Sequence, residues 1–266
     1  MVSAYTGKSV LVTGGAGGIG AALVRRAAAD GGRVVIADVD TEAGTALAEK
    51  VGALFQHTDV RDFEQVRAVI DLATNEHDGL DVLHLNAGIT GPSEGFTDVG
   101  VPYSLEHYRQ AVGVNLDGVV HGVHAALPSM RHRPGAAIVV TVSFAGLSHS
   151  PHTEVYAATK HAALALVRSL SMTFADDPVT FNALCPGFVD TPLLDPVREY
   201  LPSMDMGTLG NRTLSAEPVA DLAERVIAEG GDGDAWIVSA DVAPTRYPFD
   251  AERELLEGTL RAAAHR

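Results

Sequence analysis

A tyrosine and a lysine stand four residues apart in Tyr156-Ala157-Ala158-Thr159-Lys160, inside a stretch with a helical pattern. On a helix that spacing puts both side chains on one face. A free phenol titrates near pH ~10 and is a poor base at neutral pH. An ammonium held about 4 Å away, at an effective dielectric of ~20, favours the phenolate by roughly 4 kcal/mol. At ~1.4 kcal/mol per unit, the pair predicts a pKa lowered by up to about three units before desolvation takes some back. Such a base suits removal of a proton from an alcohol. The plain alternative is a Tyr/Lys pair on an ordinary helix surface. Ser143 ends a predicted strand upstream of the tyrosine, and its hydroxyl suits an oxygen on which negative charge develops. Asn115 sits in the apolar run VGVNLDGVV, where its amide needs partners if buried. It is suited to hold a water that returns protons to Lys160.

A second group of residues reads as a dinucleotide cradle. Thr13-Gly14-Gly15-Ala16-Gly17-Gly18-Ile19-Gly20 follows the first predicted strand and opens a helix. It satisfies G-x-G-x-x-G through Gly15, Gly17 and Gly20, and T-G-x-x-x-G-x-G through Gly14, Gly18 and Gly20. Either register brings helix N–H groups against a pyrophosphate, although glycine clusters also occur at plain turns. Asp38 ends the second strand, where a carboxylate accepts from both ribose hydroxyls and repels a 2′-phosphate; an ordinary strand-end aspartate is the alternative. Position 17 is glycine and position 39 is valine, so neither supplies a cation for a 2′-phosphate. NAD is therefore the expected cofactor. Asp59 and Val60, after the third strand, are suited to border an adenine by accepting from its amine and packing on its ring.

The elements that must position these groups alternate. Strands are expected at 8–13, 33–38, 53–60, 80–86, 135–143, 179–185 and 235–240. Helices are expected at 21–30, 41–50, 62–76, 104–132, 153–175, 216–229 and 250–264. Alternating strands and helices predict an α/β fold, a Rossmann-type doubly wound parallel sheet with helices on both faces. About seven strands in the order 3-2-1-4-5-6-7 would place a ligand at their C-terminal ends. One dinucleotide-binding and catalytic domain over 1–266 is expected, with a substrate-covering flap at 187–215. The flap's Leu193, Leu194, Tyr200, Leu201 and Met204, with the loop 89–103, predict a medium-sized, partly apolar substrate.

Composition excludes several other roles. The 266 residues are 46% hydrophobic and 20% charged, a folding composition. The formal net charge of −15, without a basic cluster, argues against nucleic acid as a partner. No apolar run reaches the roughly 18 residues of a membrane span, and the first residues lack a signal-peptide pattern. A single cysteine, Cys185, fits a reducing cytoplasm and is expected to be a buried small hydrophobe. His121 and His124 share a helix face without a visible third ligand, so no metal site is expected. His149 and His152 lie in the loop between Ser143 and Tyr156, as solvated residues or as substrate contacts.

Taken together, TGGAGGIG, Asn86-Ala87-Gly88, Asn115, Ser143, YAATK and Pro186-Gly187-Phe188-Val189-Asp190-Thr191 resemble the short-chain dehydrogenase/reductase family. The resemblance runs from residue 8 to about 192, in order and at the family's spacing. It implies that Tyr156 is the acid/base and that Lys160 lowers its pKa and holds the nicotinamide ribose. Ser143 would orient the substrate, Asn115 support the proton relay, and the Val189 backbone and Thr191 contact the carboxamide. The implied activity interconverts a secondary alcohol and a ketone with NAD. A non-catalytic NAD-binding sensor or scaffold and an NADP-dependent ketoreductase are the rivals. The apolar helix at 153–175, as in relatives that pair such helices, implies a homodimer or homotetramer. Two departures stand out. Leu85 replaces the first asparagine of the usual NNAG and is expected to alter packing beside the adenosine. AWIVSADVAPTRYPFD replaces the frequent D-G-G and is expected to shift the C-terminal wall of the substrate site.

Overall fold

The computed structural model describes residues 3–90, 104–150, 153–198, 212–251 and 254. Strands β1 (Ser9–Thr13), β2 (Arg33–Asp38), β3 (Leu54–His57), β4 (Val82–Leu85), β5 (Ala137–Thr141), β6 (Thr180–Pro186) and β7 (Ala235–Val238) pair in parallel in one sheet. Their order is β3-β2-β1-β4-β5-β6-β7, as the alternation of elements predicts, and β8 (Thr245–Arg246) adds an antiparallel edge strand. That eighth strand is two exposed residues long and has no apolar run, so nothing in the sequence announces it.

Helices α1 (Gly18–Ala29), α2 (Thr41–Val51) and α7 (Glu217–Glu229) cover one face. The other carries α3 (Phe63–His77), α5 (Gly118–Met130) and α6 (Glu154–Thr173). Strand residues alternate between the two cores: Val10 and Val12 face the α1 side, and Leu11 between them faces the α3 side. This period of two, with both faces apolar, is why the strands read as unbroken hydrophobic runs. Along α6 the buried residues Lys160, Ala163, Leu164, Val167 and Ser171 recur at helical spacing, while Met172 is exposed.

The single helix expected over 104–132 is three segments. Helix α4 (Leu105–Val112) runs into a π-helical turn, Gly113–Asp117, and then into α5. A π turn carries one residue more than an α turn and frequently marks a functional position. Here the turn contains Asn115, which is fully buried. Residues 199–211 of the flap, with Tyr200, Leu201 and Met204, residues 91–103 of the loop and most of the C-terminal helix expected at 250–264 fall outside the described residues, as does His152.

Both departures from the family pattern take a structural form. Leu85 is buried in the α3-side core and lies against Gly122 of α5, where a Cβ would collide with its Cδ2. It does not line the cofactor-sized cavity described below, so the expected effect beside the adenosine is not found. The SADVAPTR segment folds back as β8. Its turn is closed by the Ser239 hydroxyl, which accepts from the N–H groups of Asp241 and Val242. Phe249 then receives the Arg168 guanidinium at 3.7 Å, which pins the segment onto α6. None of the described residues 235–251 lines that cavity, so the wall expected from this segment is not supplied by them.

Gly122→Ala should cost about 1–3 kcal/mol through overpacking against Leu85, less the roughly 1 kcal/mol that alanine gains in a helix. Adding Leu85→Ala in the same chain should make the two costs less than additive in urea unfolding. Simple additivity would mean that α5 moves away from β4 freely.

Candidate active site

The loops after β1 and β4 leave the sheet in opposite directions, and a cavity of about 700 Å³ lies along the C-terminal strand ends. Its lining includes Gly14, Gly18, Ile19, Asp38, Asp59 and Val60 at one end, and Ser143, Tyr156, Lys160 and Thr191 at the other. Asn86, Ala87, Gly88, Pro186, Gly187 and Val189 line it between. Of the site residues expected from sequence, all but Gly20 and Asn115 border this one cavity.

The glycine loop fits a dinucleotide phosphate. Gly14 has φ +63°, a left-handed conformation that a side chain would strain. A Cβ on Gly20 would strike the Gly14 carbonyl. Helix α1 begins at a glycine N-cap with no side-chain cap and no acid in its first turn, whereas Asp40, Asp62 and Ser104 cap the following three helices. Its free N–H groups and dipole are therefore available to an anion.

Asp38 is anchored by the Ala16 N–H (2.9 Å) and the Asp40 N–H (3.0 Å), so its carboxylate holds a set place at the end of β2. Val39 beside it is exposed and uncharged. Asp59 differs from expectation. Its carboxylate is chelated by the Arg61 guanidinium, with Nε at 3.0 Å and Nη2 at 2.6 Å. The hydrogen bond to Arg61 holds its carboxyl below the usual range. Arg61 also lines the cavity, a cation that sequence reading overlooked because it lies two residues past Asp59 and not in the first glycine loop or after Asp38. Asn86 acts on the loop: its Nδ2 donates to the carbonyls of Thr13 and Gly14, both at 3.1 Å. At the other end, Thr191 packs beside Gly18, and Val189 is buried in a bridge to Leu214.

The chemical end is assembled from four elements. Ser143, two residues beyond β5, is the N-cap of a 3-10 turn (Phe144–Gly146), and its Oγ accepts from the Ala145 N–H at 3.1 Å. Tyr156 and Lys160 come from the first turns of α6, and Cys185 from β6 lies beneath them, fully buried. The Lys160 Nζ donates to the Thr141 carbonyl at 2.9 Å and stands 5.6 Å from the Tyr156 ring centroid. The electrostatics correct the simple pair argument. Burial pushes the Tyr156 phenol up, the Ser143 hydroxyl pulls it down, and Cys185 adds a smaller upward push. Burial likewise pushes the Lys160 amine down, to about 8, so it gives up its proton more readily than a free lysine. The same desolvation pushes the Cys185 thiol up to about 12, as befits a buried small hydrophobe.

Asn115 stands behind this pair, not in the cavity lining. Its Oδ1 accepts from the Ile89 N–H and its Nδ2 donates to the Ile89 carbonyl, both at 2.8 Å. A second Nδ2 bond, 3.1 Å, reaches the Thr159 hydroxyl. The π turn swings Asn115 inward to make them. Two further residues, Thr13 and Thr159, organise the site through hydroxyl bonds that no motif spacing signals. His149, Ser150 and Thr153 form a polar rim, and Phe188, Leu193 and Leu194 an apolar side, of the chemical end. His121 and His124 instead meet the Phe63 ring, and no metal-binding cluster occurs among the described residues.

Since burial depresses the Lys160 amine, the unfolded chain binds the extra proton between the two pKa values, and native stability should rise with pH across that window. Relative to Lys160→Met, the wild type should therefore gain about 2 kcal/mol of unfolding free energy from pH 7 to about pH 9.5. A gap that stays constant in chemical denaturation would show an amine that keeps its ordinary proton affinity.

Residues 8–201 match the family model described as short chain dehydrogenase. A 3-alpha-(or 20-beta)-hydroxysteroid dehydrogenase of Mycobacterium bovis is 32% identical over 239 residues, 88% of this chain and 86% of that protein. A cyclohexanol dehydrogenase of an Acinetobacter species is 28% identical over 84% of this chain and 90% of its own. Among solved structures, a 3-ketoacyl-(acyl-carrier-protein) reductase from Brucella melitensis complexed with NADH superposes with a TM-score of 0.79 at 27% identity, covering 88% of this chain and 98% of that one. A short chain dehydrogenase from Burkholderia cenocepacia in complex with NADP gives 0.78 at 27% identity, covering 88% and 97%. No described helix is long and apolar enough to cross a membrane. The cavity, its glycine cradle and these matches agree: the chain belongs to the short chain dehydrogenase family of oxidoreductases.

Proposed function

We propose that the chain oxidises a ring-borne secondary alcohol to the ketone, and reduces it in reverse, with NAD as the cofactor. The observation that carries this reading is one cavity holding Asp38 at its adenosine end and Ser143, Tyr156 and Lys160 at its other. Gly14, Gly18, Ile19 and Gly20 would hold the phosphates, Asp38 the adenosine ribose, and Lys160 the nicotinamide ribose. Asn86, Ala87, Gly88, Pro186, Gly187, Val189 and Thr191 would enclose the rest. A bound nicotinamide supplies the hydride acceptor or donor. Every other step belongs to the chain's own groups.

Tyr156 takes the alcohol proton at its Oη, and Ser143 donates to the substrate oxygen as it becomes a carbonyl. Desolvation pushes the phenol up, so a positive charge brought beside it would favour the phenolate. Lys160 and Asn115 then pass the proton on. The hydroxysteroid and cyclohexanol dehydrogenases both name alicyclic alcohols, and a lining with apolar Phe188, Leu193 and Leu194 and polar His149, Ser150 and Thr153 suits a ring with one further polar group. Exposed Leu105, Tyr108 and Val120 on α4 and α5 support the homodimer or homotetramer inferred from sequence, and the lone buried thiol supports a cytoplasmic setting. The whole chain is taken as one dinucleotide-binding and catalytic unit.

NADP is the competing cofactor reading, favoured by Arg61 in the cavity and by the NADP-bound relative. Against it, Arg61 is committed to Asp59, and Asp38 would repel a 2′-phosphate.

Reduction of NAD⁺ followed at 340 nm with cyclohexanols and hydroxysteroids should give turnover that rises with pH on the alkaline side, since the phenol is pushed up. Tyr156→Phe should lower it about 10²–10⁴-fold while NADH still binds. Turnover unaffected by this change would sink the assignment of Tyr156. In the same assay NAD⁺ should exceed NADP⁺ in kcat/KM, and Asp38→Ala with Val39→Arg should narrow or invert the ratio. An NADP⁺ preference in the wild type would overturn the cofactor.

A further inference from the structure

Thr159 occupies an unassigned position between the tyrosine and the lysine. It is buried, with 3% of its surface exposed, and its one hydroxyl proton is spent on the Tyr156 carbonyl at 2.7 Å. Toward Asn115 the hydroxyl can therefore only accept, which it does from Nδ2 at 3.1 Å. Both hydrogens of the Asn115 amide are then committed, one to Thr159 and one to the Ile89 carbonyl. A flipped amide would set its oxygen against two acceptors, Thr159 Oγ1 and Ile89 O. The oxygen is held on the opposite side, where it accepts the Ile89 N–H and keeps one lone pair.

That oxygen and the Lys160 ammonium group border the same glycine. A Cβ built on Gly88 would stand 3.3 Å from Lys160 Nζ and 3.4 Å from Asn115 Oδ1, so the two atoms flank the same small residue. The Ile89 bonds alone tie Asn115 to the loop after β4. The Thr159 bond ties it to α6, the helix that carries Tyr156 and Lys160.

We infer that Thr159 is a positioning residue that locks the Asn115 amide with its oxygen toward Lys160, and thereby sets the path by which protons reach or leave Tyr156. The inference rests on Tyr156 being the acid/base, and on the hydroxyl, not the volume, of the threonine. It assigns no contact with substrate or cofactor to Thr159.

Three readouts test it in the full-length protein. With NAD⁺ and cyclohexanol, Thr159→Val should lower kcat by about tenfold, the value of one buried hydrogen bond of roughly 1.4 kcal/mol. The solvent deuterium isotope effect on kcat should rise, while KM for NAD⁺ and the NADH dissociation constant stay within about twofold. Thr159→Ser, which keeps the hydroxyl, should restore kcat. In an Asn115→Ala background the valine substitution should cost little more, because its route is already cut. Thr159→Ala replaces the valine variant if that chain fails to fold.

Hydrogen exchange of the Asn115 side-chain amide, seen by selective ¹⁵N-asparagine labelling, should quicken at least about tenfold in Thr159→Val. A valine variant with wild-type kcat and isotope effect, a serine variant as slow as valine, full additivity with Asn115→Ala, or unchanged amide exchange would each overturn the inference. Should the wild type oxidise no alcohol, the proposed function falls, while the amide exchange still decides the role of Thr159.

Discussion

Thr13 and Asn86 end two adjacent parallel strands whose continuations part to opposite faces of the sheet. The Thr13 hydroxyl donates to the His84 carbonyl at 3.3 Å and accepts the N–H groups of Asn86 and Ala87 at 3.0 and 3.2 Å. Asn86 returns the bond through its amide to the Thr13 and Gly14 carbonyls. Strand ends at such a point leave backbone groups without ladder partners, and buried groups of that kind are costly when unpaired. The exchange between these two residues satisfies them without filling the space between the loops. The glycine turn, the start of α1 and the path of Ala87 and Gly88 toward Lys160 all depend on that small arrangement.

Beyond that point the site is governed by desolvation. Tyr156, Lys160 and Cys185 are packed together at the ends of β5, β6 and α6, and burial moves each toward its neutral form. A neutral phenol beside an amine that gives up its proton readily limits the charge that this desolvated site must hold. It also makes the Tyr156 and Lys160 pair responsive to whatever charge enters the cavity, since desolvation weakens screening. The same economy appears in β4, where His84 is driven down to about 3 and hydrogen-bonds the Tyr5 hydroxyl at 3.0 Å as a neutral ring.

Much of this could be read from residue types and order. The apolar runs and their helical intervals predict seven parallel strands in the observed order, because a strand buried on both faces must be apolar throughout. The glycine cluster, Asp38, Asn86, Ser143 and the Tyr156/Lys160 pair are each short-range patterns, and the fold brings them to one crevice. The failures share a cause. The break of the long helix into α4, a π turn and α5 turns on a bond between Asn115 and Ile89, whose partners are 26 residues apart. Leu85 was expected beside the adenosine and not against α5, because the space it fills belongs to Gly122 on another element. Arg61 was overlooked because its importance lies in reaching Asp59 at the cavity wall, and β8 because pairing with β7, not hydrophobicity, defines it.

Periodicity, turn glycines and the spacing of Tyr156 and Lys160 are properties of the local chain, so the sequence by itself determined the doubly wound sheet, the glycine turn after β1 and the side chains proposed to react. What only the tertiary structure decided is the state of those side chains. Burial depends on neighbours from β5, β6 and the π turn, and it reverses the shift that a Tyr/Lys pair in water would give. The orientation of the Asn115 amide likewise depends on Ile89 and Thr159 converging on it from two different elements. Desolvation and the direction of a hydrogen bond are set by atoms distant along the chain, and these appear only once the chain has folded.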